Sequence, residues 1–278
     1  MSTGAAPPVW LSVDWDFFVR EPAHFDSRDA PPGRPMYWEH RERVYRALSR
    51  RSLRPAMALR HAEPHPAAFW TALEQLGFRF ATVRALVVAD SHRYAARLFR
   101  RDAIADPAPG TPRLVHVDAH HDLFYSPTVL QWSVGHDEPT AENWHLFTLL
   151  RNRGLRSLVV YPGWKGDRDW ATFAKKLRGE GARGREAREA VGVQILDLLR
   201  TRVTPCVWPD PRLAAWAGPI ERVFIARSGG WTPDWHDGAF RRFCLALQRR
   251  TGVPISTPFV EIERLDPLHV APRRRAPL

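Results

Sequence analysis

Leu114-Val115-His116-Val117-Asp118-Ala119-His120-His121-Asp122 changes character half-way along. Its first residues are apolar and β-branched, as in a strand buried on both faces of a parallel sheet. Its last five carry four ionisable side chains. In an extended or turning segment, residues two apart point the same way, so Asp118, His120 and Asp122 are expected to converge. Open α/β sheets bind ligands at the carboxyl ends of their strands, where this cluster would lie. Two carboxylates and an imidazole form a hard-to-borderline set of metal ligands. The bland alternative is a polar strand end of caps and surface charge, but unpaired ionisable groups beside a buried strand are costly.

The rest of the chain repeats the pattern. Short apolar runs at Val9–Val13, Ala85–Val88, Leu114–Val117, Ser157–Tyr161, Val223–Ala226 and Val253–Ser256 read as strands. Helical periodicity is expected over Tyr37–Arg51, Ala67–Leu76, Ser91–Arg101, Ala141–Arg153, Asp169–Leu177, Arg185–Leu199 and Asp237–Arg250. Strands alternating with helices imply βαβ units, hence a three-layer α/β/α fold with a mainly parallel sheet. Glu21–Pro35, Ala105–Thr111 and Thr204–Pro211, rich in Pro, Gly, Asp or Ser, read as loops. With 278 residues, one domain spanning 1–278 is expected, with a disordered tail at 271–278.

Composition narrows the function. No apolar window is long enough for a membrane span, and Met1 to Pro8 lacks the basic-then-apolar pattern of a signal peptide. Cys206 and Cys244 are far apart and outside any CxxC spacing, which argues against a disulfide framework and for a reducing cytoplasm. The net charge of +11 suggests nucleic acid at first sight. Only Lys165, Lys175 and Lys176 are lysines, however, and the arginines are scattered rather than banked in a stripe. The reading is therefore against nucleic acid, and a basic surface instead suits an acidic protein or peptide partner.

Other strand ends carry matching chemistry. Leu11-Ser12-Val13-Asp14-Trp15-Asp16-Phe17-Phe18 runs into two carboxylates at spacing two, which raise each other's pKa unless a cation neutralises them. Ala89-Asp90-Ser91-His92 places an imidazole after a third strand, with Ser91 or Asp90 as helix cap. Gly135-His136-Asp137 and Glu142-Asn143-Trp144 follow by a loop, where acid/base and substrate-contacting residues are often found. The inventory of Asp14, Asp16, Asp118, Asp122, His92 and His120, with no cysteine, favours Mn²⁺. Six ligands suit a bridged pair of ions that acidify a shared water.

These segments resemble the arginase/deacetylase superfamily. Asp118 to Asp122 is similar to the DAHxD motif of arginases and agmatinases, and Ser12 to Asp16 to their SxDxD motif. The resemblance is closer to the branch that includes bacterial peptide arginases. It rests on His116 to Leu123, Glu142 to Trp144, Pro162 to Trp164, Asp14 to Phe18 and Asp90 to His92. It implies that Asp118 and Asp14 bridge two Mn²⁺ ions, with His92 and Asp122 completing one shell and His120 and Asp16 the other. It also implies hydrolysis of peptidyl arginine to ornithine and urea during maturation of a ribosomal peptide, the partner being a precursor with an acidic leader. His136 is the candidate for proton transfer, alongside catalytic Asp118. Glu142, Asn143, Trp164, Asp234 and Glu261 are substrate-binding candidates; Glu263 is a further carboxylate, and Trp231 and Trp235 are candidate groove residues. The alternatives are a small-guanidine hydrolase or an amide deacetylase of the same fold, and a non-enzymatic nucleic-acid binder. One departure is plain: D-x-D precedes DAHxD here, the reverse of the arginase order.

Overall fold

A computed structural model of the chain describes residues 6–20, 58–59, 62–100, 110–125, 127–178, 180–181, 185, 189, 192–228, 232 and 234–257. The expected helix at 37–51, the loop at 21–35, most of the loop at 105–111, the tail, and Trp231, Glu261 and Glu263 lie outside them. Within them, the strands are β1 (Val9–Asp14), β2 (Ala85–Ala89), β3 (Arg113–Val117), β4 (Arg156–Tyr161), β5 (Val203–Val207), β6 (Ile220–Ala226) and β7 (Ile255–Ser256). They form one sheet of order β5-β4-β3-β1-β6-β2-β7. Every pairing is parallel, so all the carboxyl ends share one edge.

Among the described residues, the α-helices whose bounds are defined are α1 (Pro66–Gln75), α2 (Ala95–Leu98), α3 (Pro127–His136), α4 (Trp144–Arg151), α5 (Arg168–Leu177), α6 (Val193–Arg202) and α7 (Asp237–Thr251). Local chemistry sets their ends. The His65 ring accepts from the Ala67 amide and Pro66 takes the first turn of α1, where its missing N–H costs nothing. Gly252 ends α7 in the left-handed region at φ +70, a conformation glycine adopts without Cβ strain.

Strand alternation sorts the side chains into two layers. Val9, Leu11, Val13, Val223 and Ile225 face α1 and α7, where Trp70 stacks on Phe243 at 4.4 Å. Trp10, Leu114, Val159, Phe224 and Ala226 face α2, α4, α5 and α6. The expected three-layer α/β/α arrangement is therefore the observed one. No helix among the described residues is long and apolar enough to cross a membrane.

Several local expectations change. Thr204–Pro211, read as a loop because of its prolines, contributes most of β5. Pro205 is tolerated because β5 is an edge strand, hydrogen-bonded to β4 alone. The helix expected over Ser91–Arg101 is a 3-10 turn, His92–Tyr94, followed by the single turn α2. α3 is an addition to the expected helices, since Thr128, Val129, Val134 and Gly135 weigh against helix. Arg185 and Glu189 are helical, as expected of Arg185–Leu199, but Gly192 at φ +80 breaks the run, and α6 begins at Val193 and reaches Arg202.

Candidate metal centre

The site is assembled from the ends of the central strands. β1 lies between β3 and β6, with β2 beyond. Ser12 is level with His116 on one side and Phe224 on the other, so all three project into the α4 layer. Asp14 and Asp118 follow two residues later on their strands and emerge on the same face at the sheet edge. The Asp14 Oδ1 accepts from the Asp16 amide at 3.0 Å, capping the 3-10 turn Trp15–Phe18 that folds Asp16 back to the cluster. Ser91 caps the turn that carries His92, accepting from the Arg93 amide. Asp122 stands at φ +48, a left-handed conformation that Asp adopts more readily than most residues.

All six expected ligands come together. His92 Nδ1 lies 2.9 Å from Asp14 Oδ2, 3.2 Å from Asp118 Oδ2 and 3.4 Å from Asp122 Oδ2. His120 Nδ1 lies 2.9 Å from Asp16 Oδ2 and 3.5 Å from Asp118 Oδ1. A seventh residue joins them: His116 Nε2 is 3.3 Å from Asp118 Oδ2 and 3.8 Å from Asp122 Oδ2. The close-set ligand atoms form two triads, His92–His116–Asp118 and Asp16–Asp118–His120, sharing Asp118. His116 is absent from the ligands expected of the sequence, although its place two residues before Asp118 on one strand is the same spacing signal that singles out His120.

Neighbouring groups orient the ligands. Ser12 Oγ pairs with His92 Nε2 at 2.9 Å, which turns Nδ1 toward the carboxylates. Trp144 Nε1 donates to Asp122 Oδ2 at 2.8 Å, and its ring stacks on His92 at 5.0 Å. Ser228, itself at φ +49 just past β6, donates to Asp14 Oδ2 at 2.5 Å. Partners of this kind fix a ligand's tautomer and aim in metal sites. The only sequence signal for Ser228 is its place beyond a strand end, and two following glycines make that place read as a plain turn.

The cluster concentrates buried carboxylates and imidazoles. Asp118 is fully buried, and Asp14, Asp16 and Asp122 are nearly so. Two like charges about 5 Å apart repel by roughly 3 kcal/mol at an effective dielectric of about 20. Burial, then the charges of Asp16, Asp122 and Asp14, holds the Asp118 carboxyl well above the usual carboxylate range. Burial and Asp16 likewise raise Asp14. Burial also presses Asp16 upward, but the facing His120 outweighs it and the net shift is down. Burial lowers His92 and His120, yet the carboxylates around them prevail and raise both. Burial and the surrounding imidazoles keep His116 neutral, well below its ordinary value.

The hydrogen-bonding inventory points the same way. Asp16 Oδ2, Asp118 Oδ2, His92 Nδ1 and both nitrogens of His116 are buried without a hydrogen-bond partner among the described residues. Their mutual approaches lack hydrogen-bond geometry, as expected of atoms aimed at a common point. Buried polar groups are almost always satisfied, so this concentration of exceptions fits a metal-ligand set of neutral imidazoles and carboxylates.

The remaining candidates are placed as follows. Glu142 sits half-buried on the turn before α4; burial and the Asp122 charge raise its pKa. Asn143 is buried and holds its own loop together, its Oδ1 accepting from Thr140 N and its Nδ2 donating to Ser133 Oγ. Trp164 pins the loop after β4 by donating to the Phe17 carbonyl at 3.1 Å. Asp234 lies in the 3-10 turn before α7, where Trp235 packs against the α1/α7 core. His136 is exposed at the end of α3, lining an outer hollow with Arg97, Arg100 and Arg151. Arg151 is the last residue of α4 and Trp144 its first, about 10 Å apart along the axis, so His136 adjoins the end of α4 remote from Asp122. Compared with known proteins, the chain matches no family model, no curated protein and no solved structure.

Proposed function

We propose that this chain is a binuclear metal-dependent hydrolase that cleaves the C–N bond of an arginine side chain within a peptide, leaving ornithine and releasing urea. The observation that carries the reading is the pair of ligand triads sharing Asp118. A single ion would need only one of them. When bound, two ions supply a water acidified toward neutral pH and a positive field for the charge that develops at the reacting carbon. Mn²⁺ is the proposed occupant, on the strength of the carboxylate-rich set.

The chain's own residues do the rest. Asp118 would hold both ions, with His92, His116, Asp14 and Asp122 on one side and Asp16 and His120 on the other. Trp144, Phe224 and the apolar strand face beneath exclude bulk water, which strengthens every charge interaction inside. Glu142 is a half-buried carboxylate beside Asp122 with no cationic partner among the described residues, and it suits the positive guanidinium. It would hold the substrate's charged end against the cluster. The net charge of +11 favours encounter with an acidic precursor segment. Free, buried Cys206 and Cys244 accord with a reducing cytoplasm.

The test is direct. Protein loaded with Mn²⁺ is incubated with arginine-containing peptides, free arginine, agmatine and acetyl-lysine peptides. Release of urea with loss of CH₂N₂ from the arginine peptide is expected. Turnover of acetyl-lysine alone, or of free arginine alone, with metal content verified, would replace the peptide-arginase reading.

A further inference from the structure

The two triads are unlike. The inner one, His92–His116–Asp118, offers two imidazole nitrogens and one carboxylate oxygen, and its three residues are at most 2% exposed. The outer one, Asp16–Asp118–His120, offers one nitrogen and two carboxylates, and the His120 side chain is 17% exposed. Asp14 and Asp122 border the inner position from outside this close-set triad, each carboxylate also accepting a hydrogen bond. Asp122 Oδ2 accepts from Trp144, Asp14 Oδ2 from Ser228, and Asp14 Oδ1 from the Asp16 amide. Asp118 Oδ2 and both nitrogens of His116 have none among the described residues. Two of the three closest-set donor atoms are therefore nitrogen inside, against one of three outside.

The surroundings differ as well. His92 is stacked between Trp144 at 5.0 Å and Phe224 at 5.7 Å, and His116 meets Trp144 edge-on at 5.0 Å. This wall presents aromatic rings, and few hydrogen-bonding groups, to a retained water. Hard ions such as Mg²⁺ and Mn²⁺ favour oxygen ligands, and Mg²⁺ in particular usually keeps several waters; imidazole-rich sites suit borderline ions, and affinity rises from Mn²⁺ toward the end of the first-row series.

Resting on the binuclear reading above but replacing its pair of Mn²⁺ ions, we infer that the centre is built for two different ions: a borderline ion such as Zn²⁺ in the inner position and Mn²⁺ in the outer one. His116 is the residue that sets the inner preference, and Asp118, two residues on and just past the end of β3, ties the two positions together.

The experiment strips the full-length protein with chelator and dialyses it against free Mn²⁺ in large excess over buffered free Zn²⁺, which offsets the general rise in affinity from Mn²⁺ to Zn²⁺. Metals are counted by mass spectrometry, and bound Mn²⁺ is followed by its electron paramagnetic resonance. One zinc and one manganese per chain are expected. In His116→Asn the preference of the inner position for zinc should fall at least tenfold, while outer Mn²⁺ affinity stays within about threefold, roughly 0.7 kcal/mol. His120→Asn should do the reverse, keeping zinc and losing manganese. Two ions of one kind in the wild type overturn the inference and leave the binuclear reading standing. A wild-type chain that takes up no metal overturns both. The wild-type count requires no variant to fold, and circular dichroism of each variant separates lost ligation from lost structure. A His116→Asn protein that is folded and keeps its zinc preference also overturns the inference.

Discussion

Replacing Asp118 with Asn removes one charge and keeps the shape. It should make the metal-free protein more stable while abolishing stabilisation by metal. Asp118 is fully buried among Asp14, Asp16 and Asp122, and its folded pKa stands well above the ordinary 3.8. A carboxylate with a raised folded pKa contributes stability that is complete below its unfolded pKa and is lost as pH rises through the folded one. The loss accumulates at about 1.4 kcal/mol for each pH unit over which the folded form alone keeps the proton. Each such unit costs the metal-free wild type about 1.4 kcal/mol relative to Asp118→Asn, and each kcal/mol moves the Tm of a chain this long by about 2–4 °C. Other groups titrate too: His92 and His120, both raised, act in the same direction, and His116, lowered, acts against it. The wild-type-minus-variant difference is therefore the quantity to follow. Thermal melts in chelator from pH 5 to pH 8 should show the variant's advantage widening with pH. With metal the order should invert, since ligand at a hundred times Kd adds about 2.7 kcal/mol per site to the wild type and little to the variant. A metal-free Asp118→Asn protein that melts at or below the wild type across the whole range would refute the electrostatic reading of the cluster.

Three further outcomes are expected. Glu142→Gln should raise KM for guanidinium substrates by about 10–100-fold, the worth of a hydrogen bond to a charged group, with metal content and kcat little changed; an unaltered KM would remove Glu142 from substrate binding. Trp144→Phe keeps the ring against His92 but deletes the donor to Asp122, and metal titration should show affinity falling by about 10–100-fold. His136→Ala should leave turnover within about threefold, in contrast to the 10²–10⁴ that a proton-transferring group contributes; a loss of that size would place His136 at the chemistry after all.

The sheet is legible because its strands are buried on both faces and so are written as continuous apolar runs. The exception, β5, shows the limit of that rule: an edge strand pairs on one side only, accepts Pro205, and so reads as a loop. Ligands at spacing two after a strand are legible for the same geometric reason that side chains alternate. That spacing extends backward from Asp118 as well as forward, but His116 lies inside an otherwise apolar run, where a histidine reads as strand and not as ligand. Loop candidates fare differently. Asn143 and Trp164 spend their polar atoms on Thr140, Ser133 and Phe17, and nothing in a loop sequence distinguishes a residue that holds the loop from one that faces a ligand. Ser228 and Trp144 act through long-range contacts, to Asp14 and Asp122, that only the strand order reveals.

Strand order also explains how segments far apart in the chain make one site. In a parallel sheet every strand delivers its last residues to the same edge, so which residues meet depends on neighbours in space and not on neighbours in the chain. β1 enters between β3 and β6, which places Asp14 and Asp16 beside Asp118 although about a hundred residues separate them. β2 lies one strand farther, beyond β6, and His92 makes up that distance because it sits three residues past the strand, on the turn capped by Ser91. A small residue at the intervening strand end is needed for this reach. Ala226, paired with Asp14 on one side and Ala89 on the other, provides it. Ala226 is fully buried in the layer that also holds Phe224 and Trp144, the neighbours of His92, so a larger side chain there would crowd the 2.9 Å approach of His92 to Asp14. The constraint on the chain is therefore the distance of each ligand from its own strand end together with small residues between them, and the order in which the strands are synthesised is free to differ.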